Sequence, residues 1–199
     1  MSSSTVPQTP SNAIPIPALA QLATAQSHRL LTTLRHILTK AATTKPDDAP
    51  SYPAEARIHP DMQPLHFQAQ IVQSFARALI TPTKPGENKW AGFHEADATQ
   101  SLEELISDVE KVLKETEEAK AEDVQKVVEG PHIVKPGEKG PAFNFSSEGF
   151  VFDFVLSNMY FHLCTAYAIL RSKGVDLGKL DYLLPFVGGY MDQPYAGKK

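Results

Sequence analysis

The run Asn158-Met159-Tyr160-Phe161-His162-Leu163-Cys164-Thr165-Ala166-Tyr167-Ala168-Ile169-Leu170-Arg171 constrains the fold more than any other part of the chain. Together with the residues before it, from about Ser147 to Ser172, it reads as a helix whose apolar residues go nearly all the way round. In water such a helix is stable only when other elements enclose it, so the spacing predicts the central helix of a bundle. Gly174 follows as a left-handed C-terminal cap. The span from Phe150 to Leu170 has membrane length, but Asp153, Asn158 and His162 interrupt it and no aromatic-and-basic flanks bracket it. Those polar groups are expensive in lipid, which excludes a membrane span.

Three further segments supply the surrounding walls. Leu19, Leu22, Leu30, Leu34, Ile37, Leu38 and Ala41 keep a helical stripe over about Pro17 to Ala41, with Pro17 in the first turn. Leu65, Ala69, Val72, Ala76 and Leu79 make the apolar face of a second helix that starts near Pro64, with Asp61 or Gln63 as its cap, and stops before Pro82 and Pro85. Ser101 and Glu104 have capping-box spacing, and Leu102, Leu105, Ile106, Val109, Val112 and Leu113 follow as a third helix whose other face is solvated Glu and Lys. Between these, Ala42 to His59 reads as a connector and Val127 to Phe145 as a loop or loose hairpin. The tail from Tyr182 to Tyr190 is apolar enough to lie across the bundle, with Pro185 and Gly188-Gly189 breaking any regular element. The result is an all-α four-helix bundle with long loops and a packed C-terminal tail. Met1 to Asn12 is Ser/Thr/Pro-rich and is expected to be a disordered lead-in, not a secretory signal, leaving 13–199 as a single domain.

The net charge of −4 among 199 residues argues against nucleic acid or an anionic membrane as partner, because nothing offsets the phosphate charge. One cysteine, Cys164, cannot pair within the chain and suits a reducing, cytoplasmic compartment.

Two stretches resemble a known family. They are Pro60-Asp61-Met62-Gln63-Pro64-Leu65 with Gln68-Ala69-Gln70, and Tyr160-Phe161-His162 through Thr165-Ala166-Tyr167-Ala168-Ile169-Leu170-Arg171 with Gly174-Val175 and Leu177-Gly178-Lys179. Both are similar to an uncharacterised-domain branch of the DinB/YfiT-like helical-bundle superfamily, over roughly Leu19 to Leu183. The resemblance implies the four-helix bundle reached above, and it implies a homodimer. Other members of the superfamily are implicated in metal binding through one histidine on helix two and a histidine pair four residues apart on helix four. Here His66 lies on helix two, but Asn158 and Ala166 flank His162 at that spacing. No metal and no other cofactor is therefore expected.

The candidate chemistry centres on His162. It shares a helix face with Val155, Asn158, Met159, Thr165, Ala166 and Ile169, so it points into the bundle. There it is either a core histidine satisfied by one hydrogen bond or a general acid/base, since burial and a partner bring imidazole near working pH. Tyr160 and Tyr167 join it as candidate catalytic donors; otherwise their hydroxyls end at the bundle surface. His66, Gln70, Asn158, Trp90, Met159 and Thr165 are the candidate substrate-binding residues, with His66 also readable as a boundary histidine. No glycine-rich nucleotide loop and no serine elbow is present, and Cys164 in an apolar helix is a poor nucleophile. The leading expectation is a cofactor-free isomerase or cyclase acting on a small aromatic or polyketide-like molecule, chalcone-type oxygen addition being one case. The alternatives are a non-enzymatic ligand-binding or dimerising bundle, and a metal-dependent transferase or hydrolase in the superfamily's style.

Overall fold

In a computed structural model the chain is described over residues 14–44, 47, 49–82, 99–135 and 142–192. The expected disordered segment 1–12 and the loop that carries Trp90 lie outside the described residues. The helices are α1 (Ile16–Thr44), α2 (Tyr52–Glu55), α3 (Leu65–Ile80), α4 (Leu102–Glu118), α5 (Ala121–Glu129), α6 (Ser157–Ser172) and α7 (Lys179–Val187). α1, α3, α4 and α6 form the bundle. No helix among the described residues is long and apolar enough to cross a membrane.

The apolar stripes meet as the periodicity requires. Leu30, Leu34 and Ile37 of α1, Leu65, Val72 and Leu79 of α3, Leu105 and Val109 of α4, and Met159, Leu163 and Ile169 of α6 are all fully buried. Leu22, expected in the α1 stripe, is 53% exposed, because Leu19 and Ala23 carry the stripe through that turn. Ser101 and Glu104 form the capping box at the start of α4: the Ser101 hydroxyl accepts from the Glu104 N–H, and the Glu104 carboxylate accepts from the Ser101 N–H. Neither Asp61 nor Gln63 caps α3 with its side chain; Pro64 is the N-cap. At the far end of α6, Gly174 takes φ +81° and the Val175 N–H reaches back to the Leu170 carbonyl, as the left-handed cap demands.

Four local features refine the sequence reading or depart from it. The connector after α1 contains a 3₁₀ turn (Ala49–Ser51) and the single-turn α2. The third helix breaks at Ala119-Lys120, giving a separate α5 whose Val124, Val127 and Val128 are buried. The hairpin is real but short: β1 (His132–Val134) pairs antiparallel with β2 (Phe143–Phe145). The fourth departure bears on the site. Gly149–Leu156, immediately before α6, is wound as a π-helix. At its junction with α6 the Phe154 carbonyl accepts from the Ser157 N–H and from the Asn158 amide (2.6 Å), and the Ser157 hydroxyl donates to the Asp153 carbonyl.

The tail, expected to hold no regular element, is also helical over Lys179–Val187. Proline inside a helix removes one i→i−4 hydrogen bond. Pro185 stands in the last turn of α7, so the loss is confined to the helix end. The helix start is strongly held instead. The Asp181 carboxylate accepts from the Gly178 N–H (2.6 Å), from Lys40 Nζ (2.9 Å) and from His36 Nε2 (2.8 Å), which clasps α7 to α1. Partial burial works to raise the Asp181 pKa, but the Gly178, His36 and Lys40 hydrogen bonds and the Lys40 charge outweigh it and hold the carboxyl at about 2. A carboxylate depressed in the folded state stabilises fully above its unfolded pKa and loses that contribution as pH falls through the folded one. The clasp therefore holds above about pH 4 and is lost toward pH 2. Asp181→Asn is expected to lower stability by about 1 kcal/mol at pH 7 and to flatten the acid limb of a urea-midpoint profile between pH 4 and 2.

Candidate functional site

α6 packs more extensively on α3 than on any other helix. On that seam stands His162, half-buried, with Gln68 of α3 opposite. His162 Nδ1 and Gln68 Oε1 are 2.7 Å apart. The Gln68 amide nitrogen in turn donates to the Gln63 carbonyl at 2.9 Å. Gln68 is only 2% exposed, so both ends of its amide need these partners. Among the described residues His162 Nε2 makes no hydrogen bond. Two rings stand beside the imidazole, Phe67 with centroids 6.0 Å apart and Phe161 at 5.1 Å, each edge to face. Phe161 is 59% exposed, so this side of the seam opens to solvent.

Burial is the one cause that moves the imidazole's pKa, and it pushes it down to about 4. A charged imidazolium loses hydration there and finds no counter-charge in return. At neutral pH the ring is therefore an uncharged acceptor.

The structure disperses the other expected residues. Tyr160 and Tyr167 lie on the α7 side of α6, away from His162. The Tyr160 hydroxyl meets the Gln26 amide, and its ring stacks on Phe186 at 6.2 Å. The Tyr167 hydroxyl donates to the Leu177 carbonyl at 3.3 Å. His66 is buried, and its Nδ1 donates to the Pro53 carbonyl at 2.7 Å, which ties α2 to α3. The Gln70 amide donates to the Gln100 side chain, which donates to Asp108, so Gln70 faces α4. The Asn158 amide holds Phe154 at the π-to-α junction. Met159 is fully buried, and the Ser27 hydroxyl donates to its sulfur at 3.7 Å. The Thr165 hydroxyl donates to the Phe161 carbonyl at 2.8 Å. Cys164, set in an apolar helix, is exposed on its outer face, with its thiol toward the Tyr182 hydroxyl.

Gln68 is the residue the site analysis missed. Its signal was its place in the Gln68-Ala69-Gln70 stretch of the resemblance, on the same face as Leu65 and Val72. A polar residue on an apolar face asks for a partner.

The donor set of the described residues does not gather a metal site. Among the described residues no three His, Cys, Asp or Glu side chains converge. A catalytic zinc needs three protein ligands. His66 and His162 have separate Nδ1 partners, Pro53 and Gln68, and no third ligand joins the two among the described residues. A cavity of about 180 Å³ lined by Tyr52, Glu55 and Lys173 is elsewhere, with Lys173 roughly 16 Å along the helix axis from His162.

A family model described as a domain of unknown function, DUF1993, matches residues 19–183. The chain belongs to the DUF1993 family. His66, Gln68 and His162 all lie inside the DUF1993 match. Among solved structures the chain is similar to a DinB family member protein from Shewanella denitrificans, at 24% identity and a TM-score of 0.63, covering 93% of this chain and 100% of that chain. The likeness establishes the fold, a DinB-like all-α bundle. No curated protein matches the sequence.

These placements separate structural from chemical histidines by experiment. His66→Leu leaves the buried Pro53 carbonyl without its donor and is expected to cost about 2 kcal/mol in a urea titration. His162→Gln, which keeps an amide donor for the buried Gln68 Oε1, is expected to cost under about 1 kcal/mol.

Proposed function

We propose that this DUF1993 protein is a cofactor-free isomerase or cyclase that moves a proton at His162 on a small aromatic or polyketide-like molecule. The observation that carries this reading is a neutral imidazole with two aromatic rings beside it, one nitrogen held by an amide and the other making no hydrogen bond among the described residues. The rings suit an aromatic substrate lying flat along the seam. Ring closure of a hydroxyaryl enone is the simplest fit, because the substrate carries both nucleophile and electrophile and needs no co-reactant.

The chemistry balances with one base. As the phenolic oxygen adds to the β-carbon of the enone, Nε2 takes the hydroxyl proton and the electrons move onto the carbonyl oxygen as an enolate. The imidazolium then returns the proton to the α-carbon, so substrate and product are isomers. A base at about 4 facing a phenol near 10 works uphill by roughly six pKa units, or about 8 kcal/mol. That lies well inside a barrier of about 15 kcal/mol, which corresponds to tens of turnovers per second. The strongly acidic imidazolium it generates is a good proton donor to the enolate, so the same low pKa that weakens the first transfer favours the second.

A second reading has its own observation. Tyr160 and Tyr167, the expected proton donors, face α7, which leaves His162 with one amide partner. In that case the same seam binds an aromatic hydroxyl compound without turning it over.

Turnover of 2′-hydroxychalcone to flavanone, followed by absorbance and chiral chromatography, decides between them. His162→Gln is expected to lower kcat/KM by about 10²–10⁴-fold with the fold intact. The wild-type rate should be flat from pH 5 to 8 and fall below about 4, where Nε2 becomes protonated. Racemic product at the spontaneous rate, or full activity in His162→Gln, rules out the catalytic reading.

A further inference from the structure

We propose that Gln68 is a positioning residue that locks His162 into the tautomer with the proton on Nδ1, so that the group presented to a ligand at Nε2 is an acceptor only. The inference rests on His162 being the group that meets substrate, as proposed above, but its own logic is steric and electronic.

It begins at the Gln63 carbonyl, which has no proton and can only accept. The Gln68 amide lies 2.9 Å from it, so the end facing Gln63 is the NH₂. The reversed amide would set two acceptor oxygens against each other and leave the NH₂ facing the ring. With the NH₂ engaged, Oε1 faces His162 at 2.7 Å, and a hydrogen bond at that distance requires the proton on Nδ1. A neutral imidazole carries one N–H, so Nε2 holds a bare lone pair. One backbone carbonyl thus sets the protonation pattern two side chains away.

The pattern also sorts ligands. A bare lone pair attracts a neutral hydroxyl or N–H and repels a phenolate or carboxylate oxygen. Burial of Gln68 beneath the seam leaves it no route to a substrate, and its effect acts through the imidazole. The ligand class is therefore a neutral aromatic molecule that offers a hydroxyl proton.

The test reads the ring nitrogens directly. Long-range ¹H–¹⁵N spectra of ¹⁵N-histidine-labelled full-length protein at pH 7, with the His162→Gln spectrum for assignment, should show His162 protonated at Nδ1 and bare at Nε2. Gln68→Leu should let the Nε2-protonated form appear and lower kcat/KM for 2′-hydroxychalcone at least 10-fold, chiefly in kcat. Gln68→Met removes the acceptor opposite Nδ1 in a side chain of similar length and should likewise let the Nε2-protonated form appear, whereas a purely structural glutamine would leave the ring protonation unchanged in either variant. Should Gln68→Leu fail to fold, the wild-type and Gln68→Met spectra still decide. An Nε2-protonated His162 in the wild type, or an unchanged tautomer in folded Gln68→Leu, overturns the assignment of Gln68. Because the spectra need no substrate, that outcome is distinct from the correct tautomer in a protein without turnover, which overturns the proton-transfer reading of the site instead.

Discussion

Enclosure of α6 is the constraint on which the rest of the molecule depends. Met159, Leu163, Ala166, Ile169 and Leu170 are completely buried, and truncating any of the large ones would open a cavity worth about 2–5 kcal/mol. α1 and α3 form the walls that meet this demand, and α7 covers part of the remaining side through Tyr160, Tyr167, Tyr182 and Phe186. What stays open is a strip bearing Ser157, Phe161 and Cys164. His162 lies at the edge between the enclosed face and that strip. A histidine one position further into the bundle would be sealed from any ligand, and one further out would be solvated and ordinary.

The π-helical turn before α6 shapes this edge. Each residue of a π-helix turns through a smaller angle than in an α-helix, so Gly149–Leu156 resets the faces of everything downstream. At the junction the Ser157 and Asn158 side chains bond back to the Asp153 and Phe154 carbonyls. An asparagine one turn before the histidine, which on spacing alone belongs with a substrate site, is thereby held in the backbone instead.

The bundle was legible because its signals are local and strong: apolar periodicity in α1, α3 and α4, the Ser101–Glu104 box, the Gly174 stop. The irregular winding was not, because no composition marks a π-turn in a run as apolar as Phe150 to Leu156. The α7 helix was hidden by Pro185, whose cost depends on where in a helix it falls. Of the site, His162 was legible as the one imidazole in an apolar helix, but its neighbours were not. The two tyrosines are separable by arithmetic: at 100° per residue Tyr160 lies 200° and Tyr167 about 140° round the helix from His162, on the opposite side. Gln68 required knowledge of which helix faces α6, and that is a tertiary fact.

A histidine paired with an amide sets what the seam costs to build. Two or three ligating imidazoles gathered in an apolar groove without a cation would each need a partner. Here Ala166 takes one flanking position and disappears into the core, and Asn158 takes the other and serves the backbone. The hydrogen-bonded chain at His162 is uncharged: a carbonyl, an amide, an imidazole. Neutral hydrogen-bonded groups tolerate a low-dielectric surrounding that would penalise an ion by several kcal/mol. The same surrounding strengthens any hydrogen bond that a ligand makes to the bare nitrogen, since fewer waters compete for it. Burial thus acts twice at His162, lowering its appetite for a proton from solvent while sharpening its hold on a proton that a ligand brings.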